Sequence, residues 1–194
     1  MELAWGCKPH SGWAVAVLAG GSPTEPLVLD RRRVQLCPDA LPRQAYHAAQ
    51  GLPQVEAAAL VAEVHTAVEA LTRAVVDELA RVARLHGDLV AVAVVGHPRG
   101  LPELDIVLRN HSLLHAAEGE LYRAALDDAV AALGVTVCAA PSTHTIAAAA
   151  TTLGTSRDAL TVRLTALRAD LGAPWRADHR DATAAALMAL HLSR

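Results

Sequence analysis

Leu89-Val90-Ala91-Val92-Ala93-Val94-Val95 is the stretch that decides the fold. Seven apolar residues run without polar alternation between Gly87 and the turn residues Gly96-His97-Pro98. A strand covered on both faces reads this way, as in a parallel sheet held between helix layers. Val135 to Ala139 (VTVCA) is a second run of the same kind, after the helix stop Gly134. Upstream, Glu2–Gly6, Trp13–Ala19 and Leu27–Leu36 read as three strands. They are joined by turns at Pro9–Gly12 and at Gly20-Gly21-Ser22-Pro23, which makes them an antiparallel meander.

The period changes after a linker, Pro38–Pro53. Leu60, Val64, Ala67, Leu71, Val75, Leu79 and Val82 recur every three or four residues, and no Gly or Pro interrupts Gln54–His86. A helix of that length spans roughly 50 Å. Arg99–Asn110 reads as a loop or short irregular segment, and Ser112–Leu133 as a helix. A short helix over Ile146–Ala150, a helix over Ser156–Leu171 and a last helix over Asp178–Leu192 follow. The order β-β-β-α-β-α-β, then helices, predicts an α/β fold. Its mixed five-stranded sheet has three antiparallel strands and two parallel ones, with helices on its faces. One domain over residues 1–194, with extra helices after residue 140, is the expected organisation.

Composition narrows the classes. Of 194 residues, 53% are hydrophobic and 19% charged, which argues against disorder. No apolar run reaches membrane-spanning length, and MELAWGCKPH carries no basic region ahead of an apolar stretch. With only three scattered cysteines, a cytoplasmic chain with reduced thiols is expected. The net charge of −3 argues against holding duplex DNA mainly by charge. Arginine supplies sixteen of the seventeen basic residues, and 42 residues are alanine, so helices can pack closely.

Two stretches carry a family resemblance. One is Gly6-Cys7-Lys8-Pro9-His10-Ser11-Gly12-Trp13-Ala14-Val15, and the other Ala177-Asp178-His179-Arg180-Asp181-Ala182-Thr183-Ala184-Ala185-Ala186-Leu187. With the element order, they resemble the ribonuclease H-like superfamily, and within it the RuvC-type resolvases and related nucleases. The resemblance implies a divalent-metal-dependent phosphodiesterase, using Mg2+ or Mn2+ held by acids from the first strand, the next parallel strand and the last helix. Asp178 and Asp181 match the last-helix pair, one turn apart on one face. The first-strand acid falls at Lys8 or at Trp5, depending on the anchor chosen. The end of the fourth strand reads Val94-Val95-Gly96-His97 where a Glu is expected. None of these replacements is an oxygen ligand for a hard cation.

Other residues invite chemistry. Asp178 and Asp181 also suit a helix start, as cap and as complement to the helix dipole. His111, His115 and Glu118 are spaced i, i+4, i+7, a set suited to zinc, nickel or iron. Ser112, however, is a natural cap that would leave His111 outside the helix, and Gly119 would allow close backbone approach. The parallel strands end in Gly96-His97-Pro98-Arg99 and Ala140-Pro141-Ser142-Thr143-His144, polar segments suited to an anion. Arg31-Arg32-Arg33 reads as an edge strand blunted by charge, and Cys7 as a buried thiol.

The expectation is a divergent or catalytically degraded nuclease that binds nucleic acid. Asp178 and Asp181 would be its catalytic acids, with His97 and Glu118 completing a metal site. Arg99, Arg109 and His144 would contact nucleic acid or phosphate. The alternatives are a scaffold protein dimerising through the long helix 54–86, and a phosphate or small-molecule binder.

Overall fold

A single five-stranded sheet in the order β3-β2-β1-β4-β5 organises the computed structural model, which describes residues 1–194. Strands β1 (Glu2–His10), β2 (Trp13–Gly21) and β3 (Pro26–Gln35) form the antiparallel meander. Strands β4 (Asp88–Val95) and β5 (Thr136–Ala140) join β1 in parallel. The helices are α1 (Ala45–Ala49), α2 (Gln54–Arg84), α3 (Leu104–Arg109), α4 (His111–Ala131), α5 (Thr145–Thr152), α6 (Arg157–Ala166), α7 (Arg168–Leu171) and α8 (Ala177–Leu192). No helix is long and apolar enough to cross a membrane.

Alternation along the strands sorts their side chains onto two faces. Leu3, Trp5 and Cys7 of β1, with Val92 and Val94 of β4, face the layer of α1, α2 and α4. Ala4, Ala91, Ala93 and Val95 face the layer of α5, α6 and α8. The first face is lined by large residues, and Trp5 fixes α2 by donating from Nε1 to the Leu79 carbonyl (2.9 Å). The second face is lined by small ones. There α8 lies so close to β1 that Gly6 has no room for a side chain, the Ala182 carbonyl standing where its Cβ would be.

Several expectations are corrected. β1 does not stop at Gly6 but runs through Pro9 to His10, because Lys8, Pro9 and His10 keep pairing with β2. The proline linker contains α1, and the 99–110 segment contains α3. Helix α4 starts at His111, not after it, because Asn110 is the cap: its side chain accepts from the Ser112 and Leu113 N–H groups (3.0 and 3.2 Å). The 156–171 helix is broken at Leu167 into α6 and α7. β5 is an edge strand and mostly exposed, not buried on both faces; only its last residue, Ala140, is fully covered. Gly119 faces open space and allows no close approach. The long helix turns Ala57, Val61, Val64, Val68, Val76, Leu79 and Ala83 inward, so its apolar face is used within the chain.

Candidate functional site

At the open end of the small-residue face, β1 meets the first turn of α8. Gly6, Lys8 and His10 share the side of β1 that faces this helix. The close fit of Gly6 brings the strand's next outward residue against the helix start. Lys8 Nζ lies 3.0 Å from Asp178 Oδ1 and 2.5 Å from Asp181 Oδ2. His10 Nε2 is 3.2 Å from Asp178 Oδ2. The ammonium therefore stands between two carboxylates a turn apart, and all three groups are largely shielded from water. Of the two anchors the sequence offered, the Lys8 one puts a residue on this cluster, while Trp5 points through the opposite face.

Burial works against the Lys8 charge, but hydrogen bonds and charge from Asp181 and Asp178 outweigh it, and its pKa is raised. Burial likewise disfavours the Asp178 carboxylate, but the Lys8 hydrogen bond and charge dominate and hold its pKa below the ordinary range. The signs give a pH window. A depressed acid contributes stability that is lost as pH falls through its folded pKa. A raised lysine contributes stability that is lost as pH rises through its own. The cluster should therefore stabilise the fold between about pH 4 and pH 10. Lys8→Met is expected to cost about 2 kcal/mol at pH 7, between the values for exposed and buried pairs. In urea titrations across pH, the gap between wild type and variant should close at both extremes. A gap independent of pH would mean that lost packing, not charge, is responsible.

The other candidate residues are distributed elsewhere. Asp178 does not cap α8; the Arg176 N–H is taken instead by His179 Nδ1 (3.2 Å). Glu118 is on α4, across the sheet from Asp178 and Asp181, 2% exposed and bonded to α1. His97 and Arg99 line a cleft of about 180 Å³ beyond the carboxyl ends of β1, β4 and β5, with His115, Arg123 and Ser142. Arg123 there is matched by Glu120 and Asp127 and is not free for an anion. Arg109 pairs with Asp105 on the exposed side of α3 (3.7 Å), and His144 precedes α5 in a left-handed conformation. Neither lines the cleft.

The arginine run alternates as a strand requires. Arg31 donates to the carbonyls of Leu171, Gly172 and Pro174, Arg32 pairs with Asp30, and Arg33 lies 4.3 Å over the Trp13 ring. His10 stacks on the same indole at 4.1 Å. Cys7 is fully buried, and burial pushes its thiol up to about 12, so it is no nucleophile.

The fold has counterparts among solved structures. The chain is similar to Thermus thermophilus RuvC in complex with Holliday junction substrate at 19% identity and a TM-score of 0.53, over 97% of this chain and 92% of that one. A second Thermus thermophilus RuvC structure matches at 18% identity and a TM-score of 0.52, over 96% and 92%. The fold is RuvC-like. No protein-family model matches the sequence, and no curated protein does. On a RuvC-like scaffold the resemblance implies a divalent-metal centre among the first strand, the fourth strand and the last helix. The residues present do not fit one. The α8 acids are there, but an ammonium takes up both, and Val95-Gly96-His97 ends β4 without a carboxylate. What the cluster can do is hold α8 against β1.

Proposed function

We propose that this chain is a RuvC-like domain that binds nucleic acid without cleaving it, its hydrolytic centre replaced by an internal ion pair. The observation that carries the reading is the Lys8 ammonium between Asp178 and Asp181. A lysine there supplies from within the chain the positive charge that a metal would bring, and offers no ligand atom to a metal. Close beside it, the Trp13 ring is held between the His10 imidazole and the Arg33 guanidinium, which sets an aromatic and cationic cluster next to the ion pair. The similar RuvC is bound to a Holliday junction, so branched DNA is the first ligand to try. The scaffold alternative has less support, since the apolar face of α2 is covered inside the chain.

With a net charge of −3, affinity should be modest, in the micromolar range at low salt, and should weaken as salt rises. Fluorescence anisotropy with labelled four-way junction, duplex and single-stranded DNA would measure this, with gel assays for scission in Mg2+ and Mn2+. Binding with no scission is the expected result. Absence of binding to all three at low salt overturns the nucleic-acid part. Scission lost in Asp178→Ala overturns the claim that the centre is replaced.

A further inference from the structure

Away from the acid cluster, α1 and the start of α4 bring together three histidines, and we infer that His47, His111 and His115 form a binding site for a divalent transition metal, zinc above all. One ring nitrogen from each lies within 4.8 Å of the other two. His111 and His115 are one turn apart on α4, and their Nε2 atoms are 3.1 Å from each other. Two imidazoles on zinc in tetrahedral geometry hold their nitrogens about 3.3 Å apart. These two rings are therefore already at ligand spacing, and His47 need close by only about 1.5 Å to join them. Imidazole suits zinc, nickel and copper rather than magnesium. Three protein ligands on the exposed side of the fold leave a fourth position for water or a small anion.

The groundwork beneath the rings supports the assignment. Glu118 Oε1 accepts from the backbone N–H groups of Tyr46 and His47 (2.9 and 3.1 Å) and faces His47 Nδ1 at 3.3 Å. An oxygen already accepting twice calls for a donor, so Nδ1 carries the proton and Nε2 keeps the lone pair. A carboxylate behind a histidine in this way fixes the tautomer and raises the basicity of a ligand. The second oxygen, Oε2, is buried with no partner at all. A buried acid so placed is costly in isolation, and a dication on the adjoining imidazoles offsets that cost. Tyr122 Oη donates to the Arg43 carbonyl (2.7 Å), a second tie that holds the segment leading into α1 against α4. The inference does not depend on nucleic-acid binding.

The test is calorimetric titration of untagged protein with ZnCl2 at pH 7.5, backed by the visible spectrum of the Co2+ form. Wild type should bind one equivalent, with the intense absorption of a four-coordinate cobalt site. His115→Ala and His111→Ala, both exposed on α4, should each weaken binding by 100-fold or more. Glu118→Gln, a positioning change, should weaken it by roughly 10–100-fold. His47→Ala distinguishes a three-ligand site from a pair on one helix. Asp178→Ala/Asp181→Ala should leave zinc binding intact. Circular dichroism of each variant confirms that it is folded. No saturable binding to wild type overturns the site, as does binding that survives His115→Ala or His47→Ala.

Discussion

Gly6→Ala should cost at least ~3 kcal/mol, a large share of the roughly 5–15 kcal/mol by which a domain is usually stable. A methyl group there would sit 1.8 Å from the Ala182 carbonyl oxygen, 2.7 Å from its carbon and 3.0 Å from the Ala186 nitrogen. All three are backbone atoms of α8, so no side chain can rotate aside. Helix and strand would have to separate, opening a contact lined by Ala4, Ala185, Ala186 and Ala189, all fully buried. Overpacking typically costs 1–3 kcal/mol where side chains can adjust; here the adjustment is a movement of the helix. Gly119→Ala is the control with the opposite sign. Gly119 lies within α4 with nothing in reach of an added methyl, and the change should stabilise by about 0.4–1 kcal/mol. Urea unfolding of both variants makes the comparison. A Gly6→Ala loss below 1 kcal/mol would show that α8 is free to back away from β1.

Lys8→Asp should create a magnesium response that the wild type lacks. Three carboxylates would then crowd where β1 meets the first turn of α8, with the lysine's charge gone. In EDTA the variant should be destabilised by more than Lys8→Met, by about 3 kcal/mol or more, since like charges crowd where an ion pair stood. Mg2+ prefers oxygen ligands and leaves the histidine cluster aside. At a hundred times its dissociation constant it should restore about 2.7 kcal/mol by mass action. Thermal unfolding in EDTA and in MgCl2 reads both effects. If wild type gains as much from magnesium as the variant, the lysine is no substitute for a metal. If Lys8→Asp gains nothing, the three side chains do not converge as the structure places them.

The sheet was legible because its strands carry their burial in their composition. The unbroken Leu89–Val95 run between turn residues reads as an inner strand, and the two tight turns upstream join three strands into a meander. β5 misled because VTVCA is as apolar as an inner strand; what exposes it is its place at the end of the strand order, which no local pattern records. The α8 acid pair stood out by spacing. That Lys8 is their partner was half visible, since it occupies the position where the resemblance expects an acid, but pairing across 173 residues has no sequence signature. Glu118 grouped naturally with His111 and His115 by helical period. The helix sends the histidines outward and the acid inward, beneath His47. The missing member came from the short helix hidden between prolines, which periodicity over five residues cannot reveal.

The closeness of α8 to β1 also has a consequence in time. The strand is made well before the helix, so one face of the sheet lacks its α8 cover while residues 11–176 are being made. At 5–20 residues per second that interval is on the order of 10–30 s during synthesis. Non-local docking of this kind is slow to form and leaves unfinished surfaces open to neighbours. The exposed face in that interval is paved with Ala4, Gly6, Ala91 and Ala93 rather than with leucines. Small side chains present less apolar area per residue to a chaperone or to another nascent chain, and the same smallness later admits the helix.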